Sequence, residues 1–194
     1  MKYYLIDYEN VKTEGLLGIE DLGASDTVHI FYSENADKLT FDMLQMIMRS
    51  KAKILYQKVG VGHKNALDFQ LASYLGYLIR DNAGKSCEYF IVSKDNGYEA
   101  LAAFWKEHDA EVRVIGGIST QMQEEMEKEL QSWVETALTK NNLGNADDAA
   151  VITKIIMSYK TKQGINNALQ KKFPEGVKDI YRTIKPLIAN KKGK

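Results

Sequence analysis

A single cysteine, Cys87, in 194 residues excludes an internal disulfide framework and fits a reducing, cytoplasmic setting. Histidine is scarce: His29, His63 and His108 lack the spacing of zinc ligands, and His29 inside an apolar run reads as a packed side chain. No apolar stretch approaches a membrane span, and Met1-Lys2-Tyr3 leads straight into a strand-like run, so the expectation is a soluble protein without a signal peptide. A Ser-His-Asp or Cys-His constellation is also missing, which removes the usual side-chain nucleophiles. Net charge is zero, yet it is unevenly spread. Residues 1–150 carry 15 Lys+Arg against 24 Asp+Glu, and residues 151–194 carry 11 against 2. The basic end suits phosphate as a partner, or equally docking on an acidic body or plain solubility.

Five short apolar runs are present, at residues 3–6, 28–32, 53–59, 89–92 and 111–115. Stretches of helical spacing lie between them: Phe41, Leu44, Met48 after a Thr40 cap; Leu67, Leu71, Leu75, Leu78 after Asn65; Leu101, Phe104, Trp105 after Gly97. Runs that are largely apolar rather than alternating, interleaved with helices, predict an α/β domain with a five-stranded parallel sheet covered on both faces. A further helix is expected over 121–135, with Met122, Met126, Leu130, Trp133 and Val134 on one side. Residues 141–145 then form a polar linker. Three short helices at 148–159, 165–173 and 177–185 complete a small helical extension, in which Pro174 separates two helices and Pro186 ends the last. The expected division is 1–140 and 146–194. Trp105 and Trp133 are the positions that would serve a homodimer.

Asp7 closes the first run, Asp95 follows the fourth, and Asp68 stands one turn into the helix after the third. In open parallel sheets ligands sit beyond the carboxyl ends of the strands where strand order reverses, and an order of 3-2-1-4-5 puts Asp7 and Asp95 side by side there. Carboxylates gathered at one edge repel unless a divalent cation lies among them. Each also has a plain structural alternative: Asp7 as a strand-end cap, Asp68 as a first-turn dipole partner, Asp95 as a turn former. Coincidence of all three at one edge favours function. Mg²⁺ takes oxygen ligands and keeps waters, leaving room for a substrate phosphate. The 60–65 turn, with His63 and Lys64, suits either phosphate or an ordinary strand-to-helix connection, and Lys94 is either a phosphate contact or an exposed turn residue. In the basic end, Lys171, Lys172, Arg182 and Lys185 are the nucleic-acid candidates.

The segments Asp7-Tyr8-Glu9-Asn10, Asn65-Ala66-Leu67-Asp68 and Ser93-Lys94-Asp95-Asn96-Gly97, in this order, resemble the PIN-like nucleases, and within them the NYN group, over roughly residues 1–120. The resemblance implies a metal-dependent ribonuclease in which Asp7, Asp68 and Asp95 hold Mg²⁺ or Mn²⁺, Asn10 orients Asp7 and Ser93 hydrogen-bonds within the site. It also implies single-stranded RNA as substrate. Many such sites add a fourth acid, and neither Asn96 nor the turn at 116–119 supplies one, although Glu9 offers a carboxylate from the first turn. A three-carboxylate site implies weaker metal binding or a silent module that binds RNA or a protein partner. Two other strand-Asp folds fit less well. A haloacid-dehalogenase-like phosphatase wants Asp where Glu9 stands, and a receiver domain wants a phosphorylatable Asp where residues 60–62 read Gly-Val-Gly. The sequence Ala83-Gly84-Lys85-Ser86 has Ile79 where a P-loop needs glycine.

Overall fold

The computed structural model describes residues 1–60 and 65–192. In it the five apolar runs become strands β1 (Lys2–Asp7), β2 (Thr27–Tyr32), β3 (Lys53–Lys58), β4 (Glu88–Val92) and β5 (Val112–Ile115). They form one all-parallel sheet of order β3-β2-β1-β4-β5, the order expected from the sequence. The helices are α1 (Tyr8–Val11), α2 (Phe41–Arg49), α3 (Ala66–Asp81), α4 (Gly97–Lys106), α5 (Ile118–Lys140), α6 (Ala146–Ser158), α7 (Lys162–Lys172) and α8 (Val177–Ile184).

The central strands β2, β1 and β4 are buried on both faces and read as mainly apolar runs, while the edge strands β3 and β5 are only partly covered. Tyr4, Ile6, Val28, Ile30, Phe90 and Val92 face one core, with Tyr8, Ile19, Leu22, Met43, Ile47 and Ile118. Leu5, Phe31, Tyr89, Ile91 and Val112 face the other, against Leu67, Leu71, Leu75 and Leu78 of α3 and Tyr98 and Ala102 of α4. This parity decides which side of the sheet each strand-end residue serves.

Helix α2 corrects one expectation. Thr40 caps it, its Oγ1 accepting the Met43 amide at 3.2 Å, but the buried residues are Met43 and Ile47, while Phe41 and Met48 are 86% and 77% exposed. Apolar residues surround this short helix, so spacing alone allows two stripes, and packing beside Ile19 and Leu22 selects one. The expected helix at 121–135 is likewise longer, and within it Val134 and Leu138 are buried while Met126 and Trp133 are exposed. Phe104 on α4 is exposed as well.

Gly18 shows a backbone constraint. Its φ is +91°, and a Cβ there would meet the Ser119 backbone nitrogen at 3.3 Å, beside the hydrogen bond from the Ser119 amide to the Leu17 carbonyl at 2.8 Å. Only glycine adopts that conformation without strain. Gly18→Ala is expected to lower stability by about 1–3 kcal/mol, read as a shift in the urea midpoint at unchanged slope; an unmoved midpoint contradicts it.

The chain packs as two compact units, Met1–Met122 and Gln123–Lys194, and α5 runs across the division. The polar linker at 141–145 lies inside the second unit. That unit has its own core of Val134, Leu138, Ile152, Ile156, Ile165, Leu169, Ile180, Ile184 and Ile188. An Asn145–Asp148 capping box starts α6. After α8 the chain returns to pair Lys192 with Thr161, and the Lys162 amide donates to the Lys192 carbonyl at 2.9 Å. Among the described residues no helix is long and apolar enough to cross a membrane.

Candidate active site

Asp7 shares the parity of Leu5, so its side chain leaves β1 on the face covered by α3 and α4. Ile6 pairs with Val92, so the next residues in register, Asp7 and Ser93, are neighbours past the strand ends. The Ser93 hydroxyl donates to Asp7 Oδ2 at 3.0 Å and accepts the Asp95 amide at 3.1 Å. One buried hydroxyl therefore ties the first carboxylate to the turn that carries the second. Asp95 Oδ1 in turn accepts the Gly97 amide at 2.8 Å, closing the turn that opens α4. Asp68, in the first turn of α3, accepts the Tyr98 hydroxyl at 2.8 Å.

Asn10 contacts Asp7 through its backbone. Its backbone amide, not its side chain, donates to Asp7 Oδ1 at 3.3 Å, because Asp7 is the N-cap of α1. Its side-chain oxygen accepts the Lys94 amide at 2.9 Å and so links the ends of β1 and β4. Glu9 also points elsewhere: its carboxylate accepts the hydroxyl of Ser33, the buried residue just past β2. Lys94 pairs with Glu14 at 2.8 Å on the surface. That contact holds the Glu14 carboxyl below its usual range.

Burial pushes the Asp7 carboxyl up. The hydrogen bonds from Ser93 and Asn10 oppose that rise, and the charges of Asp68 and Glu9 add to it. The Tyr98 phenol is raised too, first by burial, then by its bond to Asp68, then by the fields of Asp7, Asp68 and Asp95. Tyr98 thus senses all three carboxylates and stays a donor. Sequence reasoning passed over it, although its place three residues after Asp95, at the start of a helix, aims it at this edge.

The donor set is all oxygen and all acidic, and none of the three carboxylates forms an ion pair with a described residue. That chemistry fits Mg²⁺ or Mn²⁺. Among the described residues, no group of three or more His, Cys, Asp and Glu is drawn tightly enough to enclose a metal ion. Asp68 and Asp95 line one cleft with Tyr98, and Asp7 is joined to the Asp95 turn through Ser93, so an ion bound at this edge would keep water and substrate in its remaining positions. Tyr98→Phe removes the one hydrogen-bond donor that Asp68 has among the described residues, and outer partners of this kind are worth roughly tenfold or more in metal affinity. The Mn²⁺ concentration giving half-maximal thermal stabilisation should rise by about that factor; an unaltered midpoint would show that Tyr98 does not position Asp68.

His63 and Lys64 lie outside the described residues. Of the basic-end candidates, Lys171, Lys172 and Lys185 are exposed, and Arg182 pairs with Asp179 at 3.8 Å.

Comparison with known proteins gives one match. A family model described as PIN domain covers residues 1–115, more than half of the chain. No curated protein and no solved structure matches it.

Proposed function

The chain belongs to the PIN domain family, and from that premise we propose that its first unit is a divalent-metal-dependent ribonuclease hydrolysing phosphodiester bonds of single-stranded RNA. PIN domains have a nuclease-like fold, generally tied to RNA, and are typically metal-dependent. The observation that carries the reading is the linkage of three carboxylates at one edge of the sheet: Ser93 joins Asp7 to the Asp95 turn past the ends of β1 and β4, and Tyr98, at the start of α4, holds Asp68 of α3. The segments around Asp7 and Asp95 support a place in the NYN group.

Asp7, Asp68 and Asp95 are the residues to hold Mg²⁺ or Mn²⁺, which when bound lowers the pKa of its water and offsets charge on phosphoryl oxygens. Ser93 fixes Asp7 and the Asp95 turn in one frame, Tyr98 fixes Asp68, and the Asn10 amide holds the second oxygen of Asp7. Each carboxylate is thereby positioned before a substrate arrives, which lowers the cost of assembling the charge cluster. The Ser93 hydroxyl is engaged by Asp7 and the Asp95 amide and has no histidine partner among the described residues, so water is the attacking group. The single cysteine and the acidic first 150 residues suit a cytoplasmic enzyme.

The absence of a tight acidic cluster among the described residues favours a second reading, a silent module that binds RNA without cutting it. One experiment separates them. The full chain is incubated with end-labelled single-stranded RNA and Mn²⁺ or Mg²⁺, with and without EDTA. Fragments that vanish in EDTA support the hydrolase; retained RNA with no fragments under any metal supports the binder.

A further inference from the structure

Beside the carboxylates, between the first turns of α3 and α4, lies a cleft of about 300 Å³. Asp68 and Asp95 stand at one part of its wall, and Phe69, Ala72, Tyr98 and Leu101 supply the rest. Helical geometry explains the mixture. Leu67, Leu71, Leu75 and Leu78 face the sheet, which turns the neighbouring positions Asp68, Phe69 and Ala72 toward α4. Phe69 is 71% exposed, immediately after a proposed metal ligand. Phe69 belongs to none of the buried cores, and its ring lies in the wall of a cleft that also carries a half-buried Asp68 and an exposed Asp95.

We infer that this cleft is a nucleobase subsite, in which the Phe69 ring stacks on the base of a nucleotide whose phosphate would be held through a divalent cation at Asp68 and Asp95. The inference rests on the RNA reading of the same site and names the part of the substrate that the carboxylates cannot recognise. An alkyl chain would satisfy Ala72 and Leu101 but place nothing suitable beside two carboxylates. A base offers a flat π face to the phenyl ring, while its own phosphate reaches the acidic end. Stacking accepts any base, so the subsite favours unpaired strands over duplexes without fixing sequence. The cleft's apolar wall then selects for single strands because in a duplex each face is already covered by its neighbours.

The test uses the full chain carrying Phe69→Ala, Phe69→Tyr or Phe69→Trp, with a labelled single-stranded oligouridylate, in EDTA and again in Mg²⁺. Loss of the ring should weaken binding by roughly 5- to 150-fold, Phe69→Tyr should restore it to near wild type, and RNA should quench the added indole of Phe69→Trp. In cleavage assays Phe69→Ala should raise KM with kcat nearly unchanged. An oligonucleotide with one abasic position should lose affinity for wild type and little for Phe69→Ala. Equal affinity of Phe69→Ala and wild type, or an unquenched indole, overturns the subsite. Quenching without cleavage keeps the subsite and removes the hydrolase; cleavage without quenching does the reverse.

Discussion

Asp7→Asn should reduce RNA cleavage by roughly 10²- to 10³-fold or more while leaving the fold intact and, in EDTA near neutral pH, at least as stable as wild type. Asparagine keeps an oxygen for the Asn10 amide, and its NH2 can donate to the Ser93 hydroxyl oxygen, so the frame that joins Asp7 to the Asp95 turn survives. What it removes is a buried negative charge. The Asp7 carboxyl is raised by burial, so its folded pKa lies above the unfolded value. Its contribution is favourable below the unfolded pKa and is lost as pH rises through the folded one. At neutral pH the ionised group therefore works against folding, and the amide relieves that. The advantage of Asp7→Asn should shrink on acidification toward pH 4 and disappear below it. Added Mn²⁺ should reverse the order, raising the Tm of wild type and leaving that of Asp7→Asn nearly fixed. A variant that unfolds, or one that cuts RNA at the wild-type rate, contradicts this account.

The second large effect concerns His29 and acid. His29 is 2% exposed on the face toward α3, its ring 4.8 Å from that of Tyr74, and among the described residues neither ring nitrogen has a hydrogen-bond partner. Burial, and then the nearby Lys53 charge, lower its pKa from 6.5 to about 4. Between those values the unfolded chain binds a proton that the folded chain refuses. Stability is therefore complete above about pH 6.5 and falls as pH drops toward 4, by about 3 kcal/mol in all. The opposite tendency of Asp7 makes wild type alone hard to interpret. Subtracting the urea stability of His29→Leu at each pH isolates the histidine, since Leu fills the same apolar space without titrating. A flat difference from pH 7 to pH 4 would show that His29 is solvated or paired.

Much of the fold was legible because a parallel sheet buries both strand faces and so writes each strand as an apolar run. The strand order followed from where Asp7 and Asp95 had to meet. The cores on both faces, and Leu67, Leu71, Leu75 and Leu78 on α3, obey the spacing read from the sequence. Sequence reasoning failed where two solutions had the same period. On α2, Phe41 and Met48 competed with Met43 and Ile47, and the neighbouring chain chose. On α5, Trp133 lost its place to Val134 and Leu138 for the same reason.

In the site the residues were legible but their partners were not. Asp7 and Ser93 met because their strands are in register, and Asn10 holds Asp7 through a backbone amide that a sequence does not display. Glu9 is turned to Ser33, a pairing that sequence separation hides. Tyr98 and Phe69 carried no motif, since their importance comes from two helices converging on one cleft.

The most direct trial of the account is an isothermal titration of Mn²⁺ into the full chain, repeated with Asp7→Asn, Asp68→Asn and Asp95→Asn. The account predicts saturable binding in wild type that each substitution weakens by at least an order of magnitude. Wild-type chain that takes up no Mn²⁺, or variants that bind it as wild type does, would contradict it.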